Sequence, residues 1–407
     1  MYSDNRNISG IFYGYIVAAG TFFVQLLSMG LYNTFGIFFV QLSSEFEWTR
    51  AVISGPRALN SIIFGLSGIL TGRLSDRFSP RLVLTIFFVL FSLGYVLMSQ
   101  ISGIWQFYLF YGVLLGIGMG GTMVPVLSIL ARWFEKKRGM MTGIAKIGAG
   151  IGIFSMPLAA RWLISDYGWR NAYLILGLAS LVILILVAQF FRRDPSQIRQ
   201  LPDGGTVPVK EKPDLELKGT STQQAIYTRR YRLFTSMFFL YNICVFTVMI
   251  HIYPHTVDLG ISPATATNFL ATIGGASIIG RFVMGSAGDR IGNKLSIIAD
   301  LIVLSVAMLW LLVANEVWML YLFTALYGFA HGGLFTLLSP MIAEMFGLRS
   351  HGEIFGTIFF IGQIGASIGP VMVGYIFDVT GSYQLGFILI GIASIIATLI
   401  MAGIKTK

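Results

Sequence analysis

The feature that most constrains this chain is a series of apolar runs, each long enough to cross a lipid bilayer. A crossing helix needs roughly 20 apolar residues. Twelve stretches reach that length. They run over about 12–39, 51–73, 82–101, 104–131, 138–161 and 169–191, then 233–257, 264–288, 294–314, 317–345, 352–376 and 383–404. Only 11% of the 407 residues are charged, against about 25% in a soluble domain. So few charges cannot cover a water-facing surface, and the natural solvent of the chain is lipid. The expectation is an all-α membrane protein of twelve transmembrane helices.

The runs fall into two sets of six, at 1–191 and 232–407. The stretch 192–231 between them is polar and holds Pro195, Pro202, Pro208 and Pro213. It reads as a cytoplasmic linker that packs little core. The net charge is +10. In a soluble protein that would suggest nucleic acid, but here Lys and Arg sit between apolar runs and report topology, so no nucleic-acid partner is expected. With both termini inside, 22 of the 28 Lys and Arg fall on the cytoplasmic side, the bias that orients membrane proteins. Arg50, Arg57, Arg161 and Arg170 fall on the outside or near that surface, and Lys146 and Arg281 lie within spans. The expected location is a plasma membrane of the bacterial inner-membrane type. The first run is too long for a signal-peptide core and leads into further spans, so no cleaved leader is expected. Cys244 is the single cysteine; it excludes an intrachain disulfide and reads as a small core residue. A monomer is expected.

One offset, 213 residues, relates the two sets. Gly72, Asp76 and Arg77 map to Gly285, Asp289 and Arg290; Gly120, Gly139 and Gly143 map to Gly333, Gly352 and Gly356; Pro157 maps to Pro370 and Gly168 to Gly381. With 47 glycines in the chain, shared glycine alone would be weak. The Asp-Arg pair and the proline make coincidence a poor explanation. Six spans per half is an even number, so the halves share one orientation, as parallel repeats about an axis along the membrane normal.

Gly72-Arg73-Leu74-Ser75-Asp76-Arg77 joins spans 2 and 3, and Gly285-Ser286-Ala287-Gly288-Asp289-Arg290 joins spans 8 and 9. Both resemble the gating motif of the major facilitator superfamily, over the whole chain. Glycine permits close helix approach, Asp can accept hydrogen bonds from a neighbouring helix end, and Arg can pair across the loop. Asp76, Arg77, Asp289 and Arg290 are therefore candidate gating residues. A narrower resemblance rests on Tyr13-Gly14-Tyr15-Ile16-Val17, on the loop Arg132-Trp133-Phe134-Glu135-Lys136-Lys137-Arg138-Gly139, and on the glycine-rich fifth span with Gly143, Gly148, Gly150 and Gly152. It is similar to the monocarboxylate transporter family and the bacterial oxalate/formate antiporter-like group. The bland reading, glycines for packing and basic residues for topology, holds beside it.

Arg281 is the sharpest chemical signal. It lies inside span 8 with apolar residues on both sides. A guanidinium there costs at least about 3 kcal/mol unless it meets water or a partner, it stays charged, and its fork suits a carboxylate. A structural ion pair or a snorkelling side chain is the alternative. The resemblance implies a carboxylate-binding Arg at this point. The family's acid one turn earlier is Ser277 here, and its span 1 lysine is missing from Tyr32-Asn33-Thr34-Phe35. The second cation that the oxalate/formate group carries in span 11 is missing from Phe359-Phe360-Ile361-Gly362-Gln363. A single cation pairs best with a single carboxylate, which favours lactate or pyruvate over oxalate.

Proton-coupling candidates are His251 in span 7 and His331 in span 10, since histidine titrates near neutral pH. Lys146 in span 5 and Asp300 in span 9 are the other buried charges, and either can snorkel or pair near the cytoplasmic face. Each histidine can equally be a neutral helix-to-helix bridge. Glu344 belongs to gating if to anything. Leu27, Tyr32, Asn33, Met119, Met123, Tyr327 and Phe335 are candidates for a small apolar pocket, joined by Ser277, His331 and His251 beside Arg281. Gly112, Gly116 and Gly120 read as a packing stripe.

No phosphate-binding loop and no metal-ligand spacing occurs, so no cofactor, metal or enzymatic activity is expected, and gradients must drive transport. The expectation is a proton-coupled monocarboxylate symporter working by alternating access, with a small carboxylate and a proton as its partners. A carboxylate exchanger is the nearest alternative, and a non-transporting membrane sensor or an anion channel are remoter ones.

Overall fold

The computed structural model describes residues 12–48, 50–198, 200–204 and 219–404. Among them the chain forms helices and no strand. Ten helices are long and apolar enough to cross a bilayer. One of these, Arg138–Ala188, has 51 residues and supplies spans 5 and 6; it turns at Gly168, where φ is +77°. That left-handed backbone suits glycine alone. Arg50–Arg77 is less apolar but long enough, and forms span 2. The twelve expected crossings are therefore all helical.

Two spans are broken, each for a legible reason. Span 1 consists of Tyr13–Tyr32 and Phe35–Phe46, parted at Asn33 and Thr34. Arg57 of span 2 donates to the Tyr32 carbonyl at 2.7 Å. Span 4 runs as Ile104–Phe107, a wider π-helical stretch Tyr108–Leu115, and Gly116–Met119, then restarts at Val124–Trp133. Pro125 opens the restart; it has no N–H for the preceding turn and its ring crowds that turn's carbonyl. Carbonyls inside a membrane must be satisfied locally. Gln25 donates to the Thr122 carbonyl at 2.6 Å, Thr71 to Gly120 at 2.8 Å, and Ser67 to Ile117 at 2.8 Å.

In the second half, span 7 is Arg229–Asp258, span 8 Pro263–Ile291 and span 9 Asn293–Leu311. Spans 10, 11 and 12 are Val317–Phe346, His351–Thr380 and Gln384–Ala402; span 3 is Pro80–Met98. The halves meet along two seams, span 2 against span 11 and span 5 against span 8. Glycines set both. A Cβ on Gly72 would lie 2.1 Å from the Gly352 carbonyl oxygen, and one on Gly139 would lie 2.4 Å from that of Gly285. Gly148 and Gly152 press the other face of span 5 onto span 1 at Phe22 and Leu26. Gly112, Gly116 and Gly120 pack on span 2, as the stripe reading expects.

The outside of the bundle is apolar. Ile62, Leu82, Phe154, Val182, Ile279 and Leu399 are all about half exposed or more, which suits contact with lipid. The 205–218 part of the connector, with Pro208 and Pro213, lies outside the described residues. Its described ends do pack: Asp203 accepts from the backbone N–H of Glu135 and Lys136 at 3.1 and 2.8 Å, and Thr220 donates to Phe346 at 3.0 Å.

Candidate substrate and gating sites

Call the end of the bundle that carries Arg73, Arg132 and Arg349 the basic end. Polar contacts between the halves cluster there. Asp76, at the end of span 2, accepts from the Glu353 N–H at 3.1 Å, at the first turn of span 11. Asp289, at the end of span 8, accepts from the N–H groups of Gly139 and Met140 at 2.7 and 2.8 Å, at the first turn of span 5. Each carboxylate thus caps a helix of the opposite half, where free N–H groups and the helix dipole favour negative charge. The two caps are related by the same 213-residue offset as the motifs.

The partner arginine is not the one the motif suggests. Arg77 and Arg290 are exposed. Asp76 pairs instead with Arg132 of span 4 at 3.0 Å, and Arg132 also meets Asp194 at 3.3 Å and donates to the Leu348 carbonyl at 2.9 Å. Arg73 reaches Glu353 at 3.1 Å. Glu344 accepts from Asn293 at 2.7 Å. His351, a residue that the sequence reading passed over, is fully buried among three spans. Its Nε2 lies 3.0 Å from the Ser339 carbonyl and its Nδ1 2.9 Å from the Ser128 hydroxyl. A carbonyl can only accept, so Nε2 carries the proton and Nδ1 accepts from Ser128. The signal that could have marked it is its place beside Gly352 in the repeat.

Arg281 lies at the seam of spans 5 and 8, 4% exposed. It donates to Ser277 Oγ, one turn earlier, at 2.5 Å. Its Nη1 would be 3.2 Å from a Cβ on Gly150, so the fifth span's glycine makes room for the guanidinium. Lys146 is in the same place. It is 5% exposed, its Nζ sits 5.1 Å from the centre of the Phe335 ring, and its charge interacts with that of Arg281. It neither snorkels nor pairs at the basic end. The sequence argument from a single cation therefore fails, because the site holds two. Neither makes an ion pair among the described residues.

Span 10 supplies the facing wall. Tyr327, His331 and Phe335 are spaced by four and line one face, the first pair stacked and the second edge-on, with ring centres 6.0 and 5.6 Å apart. The Tyr327 hydroxyl donates to the Val245 carbonyl at 2.5 Å, and Tyr241 of span 7 donates to the His331 carbonyl at 3.1 Å. His331 is half-buried, with Nδ1 shut in and unpartnered. Asp300 is fully buried behind this wall, where a Cβ on Gly333 would meet its Oδ1 at 2.1 Å.

The other candidates lie apart from this cluster. Tyr32 and Asn33 are at the break of span 1. Tyr32 bonds Ser61 at 3.1 Å and its ring lies 3.4 Å under the Arg57 guanidinium, while Asn33 is exposed and donates to Met29 at 2.8 Å. Arg57, expected on the outside or near that surface, turns its side chain into the first half and also meets the Tyr111 hydroxyl at 2.9 Å. His251 pairs with the Pro370 carbonyl at 2.9 Å, beside Tyr383. Leu27, Met119 and Met123 are buried in the first half. Two surface clefts, about 360 Å³ at His255 and Tyr383 and about 590 Å³ at Arg77 and Arg193, lie at the ends of the bundle, away from Arg281.

The sequence profile of the Major Facilitator Superfamily matches residues 21–275 and 233–406. The chain is similar to monocarboxylate transporter 13 of Bos taurus, 26% identical over 392 residues, covering 93% of this chain and 86% of the relative. It is also similar to monocarboxylate transporter 12 of Xenopus laevis, 24% identical over 409 residues, covering 96% and 88%. Among solved structures, the proton:xylose symporter XylE bound to 6-bromo-6-deoxy-D-glucose superposes with a TM-score of 0.80 over 96% of this chain and 95% of that one, at 16% identity. The Escherichia coli fucose:proton symporter FucP gives 0.71 over 96% and 99%, also at 16% identity. At such identities the likeness to solved structures is one of fold.

Proposed function

Because the chain belongs to the major facilitator superfamily, as a membrane transporter rather than an enzyme, we propose that it carries small monocarboxylates by proton-coupled alternating access. The observation that supports this reading is Arg281. A permanent cation is buried between the halves, bonds Ser277, and pairs with no acid among the described residues. Such a charge calls for an anion from outside the chain, and a guanidinium suits a carboxylate. The relatives named monocarboxylate transporters point to the same class.

On this reading the basic end is cytoplasmic by its charge, and that end is shut by the Asp76 and Asp289 caps. Shut at that end, the carrier would load from the other side. A short acid would place its carboxylate on Arg281 and its alkyl group against Phe335. Closure at the other end and release of the two caps would pass it inward.

The test is uptake of labelled lactate and pyruvate into proteoliposomes with and without an inward proton gradient. Gradient-driven uptake without internal substrate is expected, and Arg281→Ala should lower it at least about a hundredfold, the scale of a lost charge-assisted anchor. Full uptake by that variant would refute the anchor. The second cation, Lys146, favours one other reading, a carboxylate exchanger that takes dianions. That reading requires internal substrate before any uptake appears.

A further inference from the structure

Lys146 shares the surroundings of Arg281 and brings no partner. It follows Gly143 by three residues and precedes Gly150 by four, so all three lie on one helix face. A Cβ on Gly143 would meet the Arg281 carbonyl oxygen at 2.4 Å, and one on Gly150 would meet its Nη1 at 3.2 Å. The lysine therefore enters the space beside the guanidinium from the span 5 side. The groups facing it are Arg281 from span 8 and His331 from span 10, both of which interact with charge at Lys146. Phe335 of span 10 contributes a ring face. Asp300 of span 9 lies behind span 10 at Gly333 and forms no ion pair with the lysine. Spans 1 and 4 also pack on span 5; Gln25 of span 1 is uncharged and bonds span 4, and Arg132 of span 4 is held at the basic end by Asp76.

Two adjacent cations with no anion repel strongly where water is scarce. Arginine keeps its proton at any working pH, so the lysine is the group that yields. We propose that Lys146 is the proton carrier of the transport cycle: neutral when the site is empty, and protonated when a carboxylate rests on Arg281. This rests on the reading of Arg281 as the carboxylate anchor. The charges balance. The empty site holds the arginine charge alone. The loaded site holds the arginine, the ammonium and the anion, with the same sum. Both crossings then move equal charge, and each turn carries one proton inward with one anion. His331 is the poorer carrier, because its shut-in Nδ1 has no acceptor to meet a second N–H.

The experiment is titration calorimetry of pyruvate into the purified full-length protein, in buffers of different ionisation enthalpy and over a range of pH. The wild type should take up about one proton per anion, and its Kd should rise about tenfold per pH unit once the empty-site lysine is deprotonated. Lys146→Gln and Lys146→Arg should both lose the proton uptake and show a flat Kd against pH, and both should lose stimulation by a proton gradient. His251→Gln, at a histidine that lies apart from Arg281 on the Pro370 carbonyl, should keep the one-proton uptake. A wild type that binds pyruvate without taking up protons overturns the proposal, whatever the variants do. So does a Lys146 variant that keeps the uptake and the pH slope. A dicarboxylate that binds more tightly than pyruvate without proton uptake would make Lys146 a second anchor instead. Failure of the wild type to bind any monocarboxylate would refute the anchor reading itself, and the linkage with it.

Discussion

The two gates at the basic end follow one plan but differ in strength. At each, a carboxylate from the end of one span caps the first turn of a span in the other half, and a pair of glycines lets the backbones touch. The gate between spans 2 and 11 adds a buried charge cluster, Asp76 with Arg132 and Asp194, and the outer pair Arg73–Glu353. Among the described residues, the gate between spans 5 and 8 has its cap and neighbouring charge but no ion pair. The position equivalent to Arg132 by the 213-residue offset is Met345. Duplication thus supplied the geometry twice and the charges once. The lightly held seam is the one that ends at Lys146 and Arg281, so on the proposed reading loading the substrate acts on the seam that needs less to move.

The sharpest way to break this comparison is to neutralise each carboxylate in turn. Asp76→Asn leaves Arg132 buried with Asp194 as its one remaining carboxylate beside the Leu348 carbonyl, which should cost about 3 kcal/mol of the closed state. Asp289→Asn weakens a cap without stranding a cation and should cost about 1 kcal/mol. Opening can be read from thiol labelling of Ser339→Cys, a fully buried position that bonds the Leu127 carbonyl across the halves, with Cys244 replaced by Ser. Labelling should rise about a hundredfold for Asp76→Asn and about fivefold for Asp289→Asn. Equal rises would mean that the caps, and not the charge cluster, hold the end shut.

Between those two effects in size lie the glycine seams. Gly72→Ala and Gly139→Ala each push a methyl against a backbone oxygen, and overpacking of this kind costs about 1–3 kcal/mol. Both should expose the same thiol, and Gly72→Ala should do so less than Asp76→Asn, since the charge cluster still pulls the halves together. Placing the missing charge, Met345→Arg, should sharpen the contrast from the other side. If the arginine reaches Asp289, thiol labelling should fall below that of the wild type and uptake should slow.

What the sequence disclosed, and what it hid, follow from the range of the forces involved. The spans are legible because a bilayer fixes their length and leaves no use for charge inside them. The motif carboxylates are legible because a repeated Asp-Arg beside glycine is rare by chance. The partner of Asp76 is not, since the adjacent Arg77 looks equally suitable and only the packing of span 4 brings Arg132 nearer. The depth of Lys146 follows from its distance past Arg138, but its direction depends on which face of span 5 meets span 8. The partners of Arg57 are hidden for a similar reason: charge bias reports sidedness, while the break at Asn33 and Thr34 that holds this arginine is a local backbone event. Tyr32, Asn33 and His251 lie apart from Arg281 because a span that lines a cavity still turns most of its residues elsewhere.

The smallest effect concerns the pair Arg73–Glu353, and it isolates what a surface charge adds to a closed seam. Arg73 is more than half exposed at 56%, and Glu353 is 21% exposed, with 3.1 Å between them. Exposed pairs contribute at most about 1 kcal/mol, because water screens the charges and two long side chains must be ordered. Glu353 also offers its backbone N–H to Asp76, and that bond does not depend on its side chain. Arg73→Ala should therefore raise thiol labelling at most about fivefold, and the rise should vanish in high salt, where the wild-type pair is itself screened. A salt-independent rise, or one matching Asp76→Asn, would move the strength of this gate from its buried cluster to its rim, and the contrast with the second gate would then rest on Arg73 instead of Arg132.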